Sequence, residues 1–500
     1  MTGQATNGPA IAAPAMRRMV GGGMAQLVVR AAGIALALAV VPVVTRYLGA
    51  ARYGDLTLIL AIVSFLVMAA DFGLPLLASR DLPGLDGEDR DRWMAGFWSA
   101  RLTLAAAAVA VGGGIALFVP LSGPVRLGLV VALAGVPAAL VSNAVAGMLN
   151  ADFRPARAAA AELSARIAYT AGIVLVVVVF GGGLPGVVFA VTVSQLAALA
   201  VVLAVARRSR LFPAPGADRV RRRAMMAAAA PLALLPLLGL VYSRSDVIVL
   251  AARTTSTEVG VYGLIWRVLE ILLSLAAIAT SLLVPVFAAD PSRDGQRRAY
   301  RRSLEVLGLG IVPAAVAVAL LATPILTVLG GDGFAAPTPT ATGSVVPGHA
   351  LALVMGAFAL MTLGFVNGAV LVARRAHAIL FLHFGLAIAA NLALTLALVG
   401  RWSYAGAAAA TLVAEGFAAA FSTWMVARVL GPLDLMRSMA WPVAGGAVAA
   451  AAVLAAAPLG AAGQMAAVAV AVPVFAALSP PGRRLLAHLS RPRHAVEEAA

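Results

Sequence analysis

Fourteen apolar segments follow one another along this 500-residue chain, with only short polar connections between them. About 20 apolar residues in a helix cross the ~30 Å hydrocarbon core of a bilayer, and only helices and closed barrels satisfy their backbone hydrogen bonds there. The sequence therefore predicts an all-α polytopic membrane protein with about 14 transmembrane helices. The segments lie at 22–44, 55–78, 94–118, 125–149, 158–180, 185–206, 227–251, 259–288, 303–329, 345–373, 376–399, 404–430, 437–458 and 460–479.

Composition supports this class and excludes several others. Hydrophobic residues make up 62% of the chain and charged residues 12%, which is more apolar surface than a soluble core can bury. The net charge is +16, but the basic residues form short clusters between apolar segments and no patch with interleaved aromatics, so we predict no nucleic-acid partner. Without cysteine, and with five histidines that lack ligand spacing, the sequence predicts neither a metal site nor a cofactor.

The distribution of arginine predicts the orientation of the chain. All 37 basic residues are arginine, which together with abundant alanine, valine and glycine is typical of a GC-rich bacterium. Of these, 27 lie in the two tails and alternate loops, five in the opposite loops and five within the spans. Because basic residues are retained on the cytoplasmic side, we predict a multi-pass protein of the bacterial inner membrane with both termini cytoplasmic.

Internal similarity predicts two lobes. The segment Y-L-G-A-A-R-Y-G (47–54) after the first helix resembles the segment ending G-V-Y-G (260–263) after the seventh, and Gly406–Glu415 repeats the spacing of Gly186–Gln195. An even number of helices per repeat preserves direction in the membrane, so the lobes should be parallel repeats. The predicted division is an N-terminal lobe at 1–206, a basic cytoplasmic linker at 207–226, a C-terminal lobe at 227–430, and two further helices with a basic tail at 431–500.

Charged residues inside the spans are the candidate functional residues, since an ionisable side chain at this depth costs about 2.5–3.5 kcal/mol and usually faces a protein interior or a water-filled path. Arg267 and Glu270 are three residues apart and can pair on one helix face. Arg244 and Asp246 are two apart, on nearly opposite sides of a helix, so each needs another partner. Arg30 has no acid within a turn in helix 1.

Four acids are candidates for ion coupling. For Asp71, at the end of the second predicted helix, helix capping or an interfacial contact is an equal alternative. Glu415 lies near mid-membrane, where a buried hydrogen-bonded role is equally consistent with the sequence. Asp246 and Glu270 complete the set.

Two further charges have structural interpretations. Glu162 and Arg166, four residues apart near the start of the fifth helix, are expected to neutralise each other. Arg101 lies shortly after Trp93 and Trp98, so its side chain could extend to the inner membrane interface.

Several motifs resemble the polysaccharide flippases, which include the O-antigen and exopolysaccharide repeat-unit flippases, of the multidrug/oligosaccharidyl-lipid/polysaccharide (MOP) superfamily. Their order and spacing extend over 370 residues. The motifs are T-R-Y-L-G-A-A-R-Y-G-D (45–55), A-D-F-G-L (70–74), Y-x-R-x-D (242–246), E-V-G-x-Y-G (258–263), R-x-x-E (267–270), N-G-A-V-L-V-A-R-R (367–375), A-N-L-A-L (390–394) and Y-A-G-A-A-A-A-T-L-V-A-E (404–415).

The resemblance implies that the protein is a transporter and not an enzyme. It also implies two six-helix lobes, arranged as a V around a cationic cavity that opens alternately to either side of the membrane. The expected substrate is a polyprenyl-diphosphate-linked oligosaccharide of lipopolysaccharide or exopolysaccharide biosynthesis, carried from the cytoplasmic to the outer leaflet. Arg30, Arg244 and Arg267 are then expected to line the cavity and to hold the diphosphate. H⁺ or Na⁺ is the candidate coupling ion, and glycan polymerase or export machinery is a candidate partner.

Three alternatives remain. Lipid II flippases of the same superfamily carry R-x-x-G-x-x-R-D on helix 1; Arg30 and Gly33 match its first half, but Leu36 and Ala37 replace the Arg and Asp. An ion-coupled multidrug or metabolite antiporter would bind cationic drugs through acids, whereas these spans contain more arginine than acid. A membrane glycosyltransferase or polymerase would need an acidic outer loop, and the segment 330–347 contains only Asp332.

Overall fold

The computed structural model describes residues 13–151, 155–207, 219–280, 283–340 and 343–489. Within these ranges the chain is almost wholly helical, which confirms the predicted all-α class. The first eight helices are α1 (Ala13–Asp71), α2 (Leu74–Asp81), α3 (Gly87–Phe118), α4 (Gly123–Leu133), α5 (Val136–Ala151), α6 (Pro155–Leu175), α7 (Gly183–Arg207) and α8 (Arg219–Arg253). The next nine are α9 (Ser256–Thr280), α10 (Leu283–Ala289), α11 (Arg293–Leu320), α12 (Ala322–Gly330), α13 (Pro347–Ala373), α14 (His377–Leu430), α15 (Leu435–Ala455), α16 (Gly460–Leu478) and α17 (Pro480–Leu489).

The two longest helices are each broken in the middle. α1 has 59 residues and contains Gly49 at φ 70°, and α14 has 54 residues and contains Ser403 at φ 49°. A straight helix of 54 residues would be about 80 Å long, more than twice the thickness of the hydrocarbon core. Each break therefore separates two spans, as the sequence predicted for 22–44 and 55–78 and for 376–399 and 404–430.

The helices account for the predicted spans. In the described ranges, nine helices are long and apolar enough to cross a membrane, or eleven if two bent pairs are counted as spans. Those pairs are α4 with α5, bent by 41°, and the two halves of α8, bent by 44° before Pro236. Counting α1 and α14 as two spans each adds two more. The remaining predicted span, 158–180, coincides with α6 and a π-helical turn at Val176–Phe180.

The only strands in the described ranges are two short ones, β1 (Thr338–Thr340) and β2 (Gly343–Val345), which pair antiparallel. They lie in the long connection between α12 and α13. The Tyr404 hydroxyl, just after the break in α14, donates to the carbonyl of Val345 over 2.8 Å and holds the hairpin against the helix.

The chain forms two compact units. Unit 1 comprises the described residues up to Leu48 together with Asp55–Leu240. Its core is formed by α2, α3, α5 and the first part of α8, with Leu74, Phe97 and Met148 fully buried. Gly73 lies so near α8 that a Cβ there would be 2.6 Å from the amide nitrogen of Ala233.

Unit 2 comprises Gly49–Gly54 and the chain from Val241 onward. α9 begins with a capping box, because the Thr255 amide donates to the Glu258 carboxylate over 2.8 Å while the Glu258 amide donates to the Thr255 hydroxyl over 3.4 Å. Glu258 of the E-V-G-x-Y-G motif therefore caps a helix. α15 packs closely on α11, where a Cβ at Gly445 would be 2.9 Å from the Pro313 ring. The division predicted from the sequence, with boundaries at 206, 226 and 430, stays a prediction.

The connection between α10 and α11 is fixed by a short polar turn. The Ser292 hydroxyl accepts a hydrogen bond from the Gly295 amide over 3.0 Å and so caps α11. Hydrogen bonds from the Ser292 hydroxyl and amide to the Asp290 carboxylate lower the pKa of Asp290 from its ordinary value. The turn thus stabilises the start of α11 when the Asp290 carboxyl group is ionised.

Candidate functional site: charged and tyrosine side chains within the helices

Two arginines on neighbouring helices of unit 2 share one carboxylate. Arg244 on α8 donates to Glu270 Oε1, and Arg267 on α9 donates to Glu270 Oε2 over 2.9 Å. The predicted pairing of Arg267 with Glu270 is confirmed. Glu270 is also the partner that Arg244 was expected to need, since Arg244 and Asp246 lie on nearly opposite sides of the helix. We call these three residues the arginine pair with its bridging glutamate.

This group carries a surplus of one positive charge and is accessible. The side chains of Arg244 and Arg267 are 26% and 39% exposed, and Glu270 is 24% exposed. A carboxylate that accepts from two guanidinium groups holds both in place, since each fork is restrained by a charge-assisted hydrogen bond. An anion that reaches this group would therefore meet two guanidinium groups in a fixed geometry.

Two buried carboxylates, one on α8 and one on α14, each accept a hydrogen bond from a tyrosine on α8 or α9. The Tyr262 hydroxyl on α9 donates to Asp246 on α8, and the Asp246 carboxylate also accepts from the Val247 amide over 2.8 Å. The Tyr242 hydroxyl on α8 donates to Glu415 on α14, which is 173 residues away along the chain. Asp246 is 1% exposed and Glu415 8% exposed.

The Asp246 and Glu415 carboxylates lie among other polar side chains of α8, α9 and α14. Asp246 and Glu415 take no part in the ion pairs found between described residues. The Asn391 amide group donates to the Thr411 hydroxyl over 3.5 Å on the two halves of α14, and Thr411 adjoins Tyr262. A buried carboxylate that receives only neutral hydrogen bonds is costly to ionise, so binding a proton or a cation would stabilise it.

The fourth in-membrane acid, Asp71, lies in unit 1 and is paired with a buried arginine. Arg101 on α3 donates to Asp71 and, through Nε, to the Leu140 carbonyl of α5 over 2.8 Å. The Asn143 amide group donates to the other Asp71 oxygen over 3.4 Å. Arg101 is 0% exposed, so the expectation that it extends to the membrane interface is wrong. The physical reason is that α1 ends at Asp71, where the Ala70 carbonyl also accepts from Arg101 over 3.4 Å.

The remaining arginine predicted for the site, Arg30, lies in α1, but its side chain is outside the described residues. One turn further along α1, a Cβ at Gly33 would be 2.8 Å from the guanidinium carbon of Arg166 on α6. Arg166 donates to Glu162 over 2.7 Å, which confirms that predicted pair. Both side chains are partly exposed, at 41% and 52%, so Arg166 is a further accessible arginine beside α1, for which the sequence had suggested a structural role.

The two tyrosines were the main residues that sequence analysis left without a role. Both lie in the quoted motifs, Tyr242 in Y-x-R-x-D and Tyr262 in E-V-G-x-Y-G. The usable signal was that Arg244, two residues from Asp246, lies on nearly the opposite side of the helix, because a buried carboxylate must then take its hydrogen bonds from some other donor. No cluster of three or more potential metal-binding His, Cys, Asp or Glu side chains occurs in the described part of the chain.

Comparison with known proteins places this arrangement in context. The family model described as "Polysaccharide biosynthesis protein" matches residues 22–289, more than half of the chain. A search of curated proteins found no match.

Solved structures of low identity share the fold. The lipid II flippase MurJ in an inward closed conformation is similar with a TM-score of 0.73 at 11% identity, over 92% of this chain and 98% of that one. An inward-facing multidrug resistance MATE family transporter of the MOP superfamily gives 0.61 at 14% identity, over 82% and 98%. A MOP superfamily transporter from Pyrococcus furiosus, described as having a binding pocket of reverse polarity, gives 0.52 at 15% identity, over 84% and 96%.

Proposed function

Because this chain belongs to the polysaccharide biosynthesis protein family, we propose that it is a flippase that moves a polyprenyl-diphosphate-linked oligosaccharide across the membrane. The direction is from the cytoplasmic to the outer leaflet of the bacterial inner membrane, by alternating access, with both termini cytoplasmic. Under this proposal the protein is a transporter and not an enzyme. Its fold, shared with transporters of the MOP superfamily, supports that class.

The observation that carries the proposal is the arginine pair with its bridging glutamate. Arg244 and Arg267 are both partly exposed on membrane helices and are held by Glu270. A diphosphate carries adjacent anionic oxygens, which two fixed guanidinium forks can meet at once. A surplus of only one positive charge keeps binding moderate, so that the substrate can also leave. Glu270 is then a positioning residue, although the sequence also marked it for ion coupling.

Arg30, in unit 1, is also proposed to bind an anionic group of the substrate, on the basis of its position in helix 1. Arg166 is added to it, because its exposed guanidinium lies against Gly33 of the same helix. In unit 2, Asp246 and Glu415 are the proposed sites of coupling to H⁺ or Na⁺. Asp71 is a weaker candidate, since its charge is already balanced by Arg101. Glycan polymerase or export machinery remains the proposed partner.

The lipid II flippase alternative has less support from the residues. The fold similarity to MurJ is high, but identity of 11% is evidence for the fold alone. Leu36 and Ala37 stand where the helix 1 motif of those flippases has its second arginine and its acid. An antiporter of cationic drugs would need accessible acids, whereas Asp246 and Glu415 are buried and the accessible group here is cationic.

The test is transport of a fluorescent polyprenyl-diphosphate oligosaccharide in proteoliposomes that contain the full-length protein. The double variant Arg244→Ala, Arg267→Ala should lose most flipping, and the double lysine variant should recover part of it because charge is kept without the fork. Arg253→Ala, at the exposed end of α8, is the matched control and should flip normally. Normal flipping by a stably folded double alanine variant would refute the proposed site.

A purely structural role for the arginines predicts a different result. Removing one partner of an ion pair that is partly buried then lowers protein abundance and melting temperature together with transport. Arg30→Ala and Arg166→Ala are tested in the same assay, each with its melting temperature, because a shared role in anion binding predicts loss of flipping without loss of stability.

A further inference from the structure

A row of neighbouring aromatic rings runs along the exposed face of the second half of α14. We call His383, Phe417, Phe421, Trp424 and Arg428 the aromatic ladder. The rings of Phe417 and Phe421 are stacked, with centroids 6.4 Å apart and an interplanar angle of 16°, whereas the Phe421 and Trp424 rings are tilted by 46° with centroids 6.1 Å apart. The Arg428 guanidinium lies 4.5 Å from the centre of the Trp424 ring.

The ladder lies on the face of α14 that points away from the buried carboxylates. Phe417 and Trp424 are 47% and 48% exposed, whereas Glu415, two positions before Phe417, is 8% exposed. The four α14 positions 417, 421, 424 and 428 follow a spacing of three or four residues and so share one face. Eleven residues separate the first from the last, which is about 16 Å along the helix and roughly the depth of one leaflet.

His383, in the first half of α14, completes the ladder from the neighbouring span. Its ring stacks on Phe421 at 6.3 Å with an interplanar angle of 17°. Its Nδ1 is buried and makes no hydrogen bond to any residue that the structure describes. A polar ring is therefore kept in the stack although a purely apolar one would avoid this cost.

An interfacial anchor alone does not explain this arrangement. Tryptophan and arginine at a helix end are common where a span meets the membrane surface. Phe421 and Phe417, however, extend the stack about 10 Å deeper than Trp424, where aliphatic side chains would suffice against saturated lipid tails. Flat π-faces in sequence, ended by a cation, match a ligand with a long unsaturated chain and an anionic head.

We propose that the aromatic ladder binds the polyprenyl chain of the lipid carrier, with the carrier phosphate on Arg428. This inference rests on the proposed flippase function and adds a second binding site to it, which holds the carrier by its lipid chain and its phosphate and is separate from the arginine pair. Isoprene units present flat double bonds and methyl groups at regular intervals, which pack against stacked rings. Charge complementarity places the phosphate at Arg428, the last position of the ladder before α14 ends at Leu430.

The test is binding of undecaprenyl phosphate to the purified full-length protein, measured by native mass spectrometry in competition with phosphatidylglycerol. Wild type should prefer undecaprenyl phosphate. Phe421→Ala and Trp424→Ala should each weaken its binding by about two- to tenfold, as expected for the loss of one aromatic contact, and Arg428→Gln by a similar factor. The matched controls are Leu382→Ala and Leu396→Ala, exposed apolar residues of α14 outside the ladder, which should bind as wild type.

Each outcome separates the two proposals. Equal binding of both lipids by wild type, or ladder variants that bind undecaprenyl phosphate like the controls, overturns the ladder assignment whatever the flipping assay shows. Preferential binding that depends on the ladder, in a protein that does not flip the oligosaccharide, would support the ladder and refute the flippase. The Arg244→Ala, Arg267→Ala variant should still bind undecaprenyl phosphate through the ladder while it fails to transport.

Discussion

Gly54 and Gly260 hold two backbone segments of unit 2 in reciprocal contact. A Cβ at Gly54 would be 1.7 Å from the Ser256 carbonyl oxygen, and a Cβ at Gly260 would be 2.0 Å from the Ala50 carbonyl oxygen. In each case the carbonyl belongs to the residue four positions before the other glycine. The start of the second span of α1 and the start of α9 thus touch backbone to backbone, which any side chain at either glycine would prevent.

Alanine at Gly54 or at Gly260 should therefore destabilise the protein. The added methyl group cannot be accommodated without moving a backbone, and overpacking of this kind costs about 1–3 kcal/mol. We expect the melting temperature of either variant in detergent to fall by several degrees. Gly310→Ala is the control, because a Cβ there has no neighbour within 4 Å and alanine is favoured over glycine inside a helix. A Gly54→Ala variant as stable as wild type would contradict the contact.

The sequence marked these segments as repeats but not their contact. The repeat spacing pairs Gly54 with Gly263, one helical turn beyond the glycine that it touches. Hydropathy located the spans well, since apolar length is a local property that a membrane imposes directly. The 41° bend between α4 and α5 was not predicted, because 125–149 reads as one apolar run and the bend depends on packing.

The site shows the same division between local and distant information. Helical spacing predicted that Arg267 pairs with Glu270 and that Arg244 and Asp246 need other partners. It could not say that Tyr242 would reach Glu415, 173 residues away, because that contact depends on how α14 packs on α8. For Arg101, the nearby tryptophans suggested that the side chain extends to the membrane interface. It points instead to hydrogen-bond acceptors at the end of α1, which lie far from it in sequence.

The buried pair of Arg101 with Asp71 should be among the most sensitive positions in unit 1. Arg101→Ala removes the cation that balances the Asp71 carboxylate and one donor to the Leu140 carbonyl, and breaking a buried ion pair costs about 3–5 kcal/mol. We expect a large loss of folded protein in detergent, measured by thermal unfolding. Arg92→Ala should cost less than about 1 kcal/mol, because its pair with Asp89 is 53% and 72% exposed.

Asp71→Asn distinguishes a structural from a coupling role for Asp71. If the pair is structural, the variant loses stability and keeps the wild-type dependence of flipping on pH and Na⁺. An altered dependence with unchanged stability would restore Asp71 as a coupling residue.

The orientation predicted from arginine can be measured directly. Reporter fusions after Arg223 and after Arg493 should both report a cytoplasmic location, since 27 of 37 arginines are assigned to that side. A fusion at Asp332, in the connection between α12 and α13, should report the opposite side. A non-cytoplasmic signal at either of the first two positions would refute the orientation and, with it, the even number of spans.

Neutralising the buried carboxylates should uncouple transport from its driving ion. Asp246→Asn and Glu415→Gln keep a hydrogen-bonding group for Tyr262 and Tyr242 but remove the charge that a proton or Na⁺ would balance. Flipping in proteoliposomes should then lose its dependence on an imposed pH or Na⁺ gradient, with folded protein retained.

Asp332→Asn, in the connection after α12, is the matched control and should keep the wild-type dependence. Tyr242→Phe and Tyr262→Phe should change the dependence less, because the carboxylates remain and lose one donor each. If both carboxylate variants respond to the gradients as wild type does, neither residue couples transport to an ion.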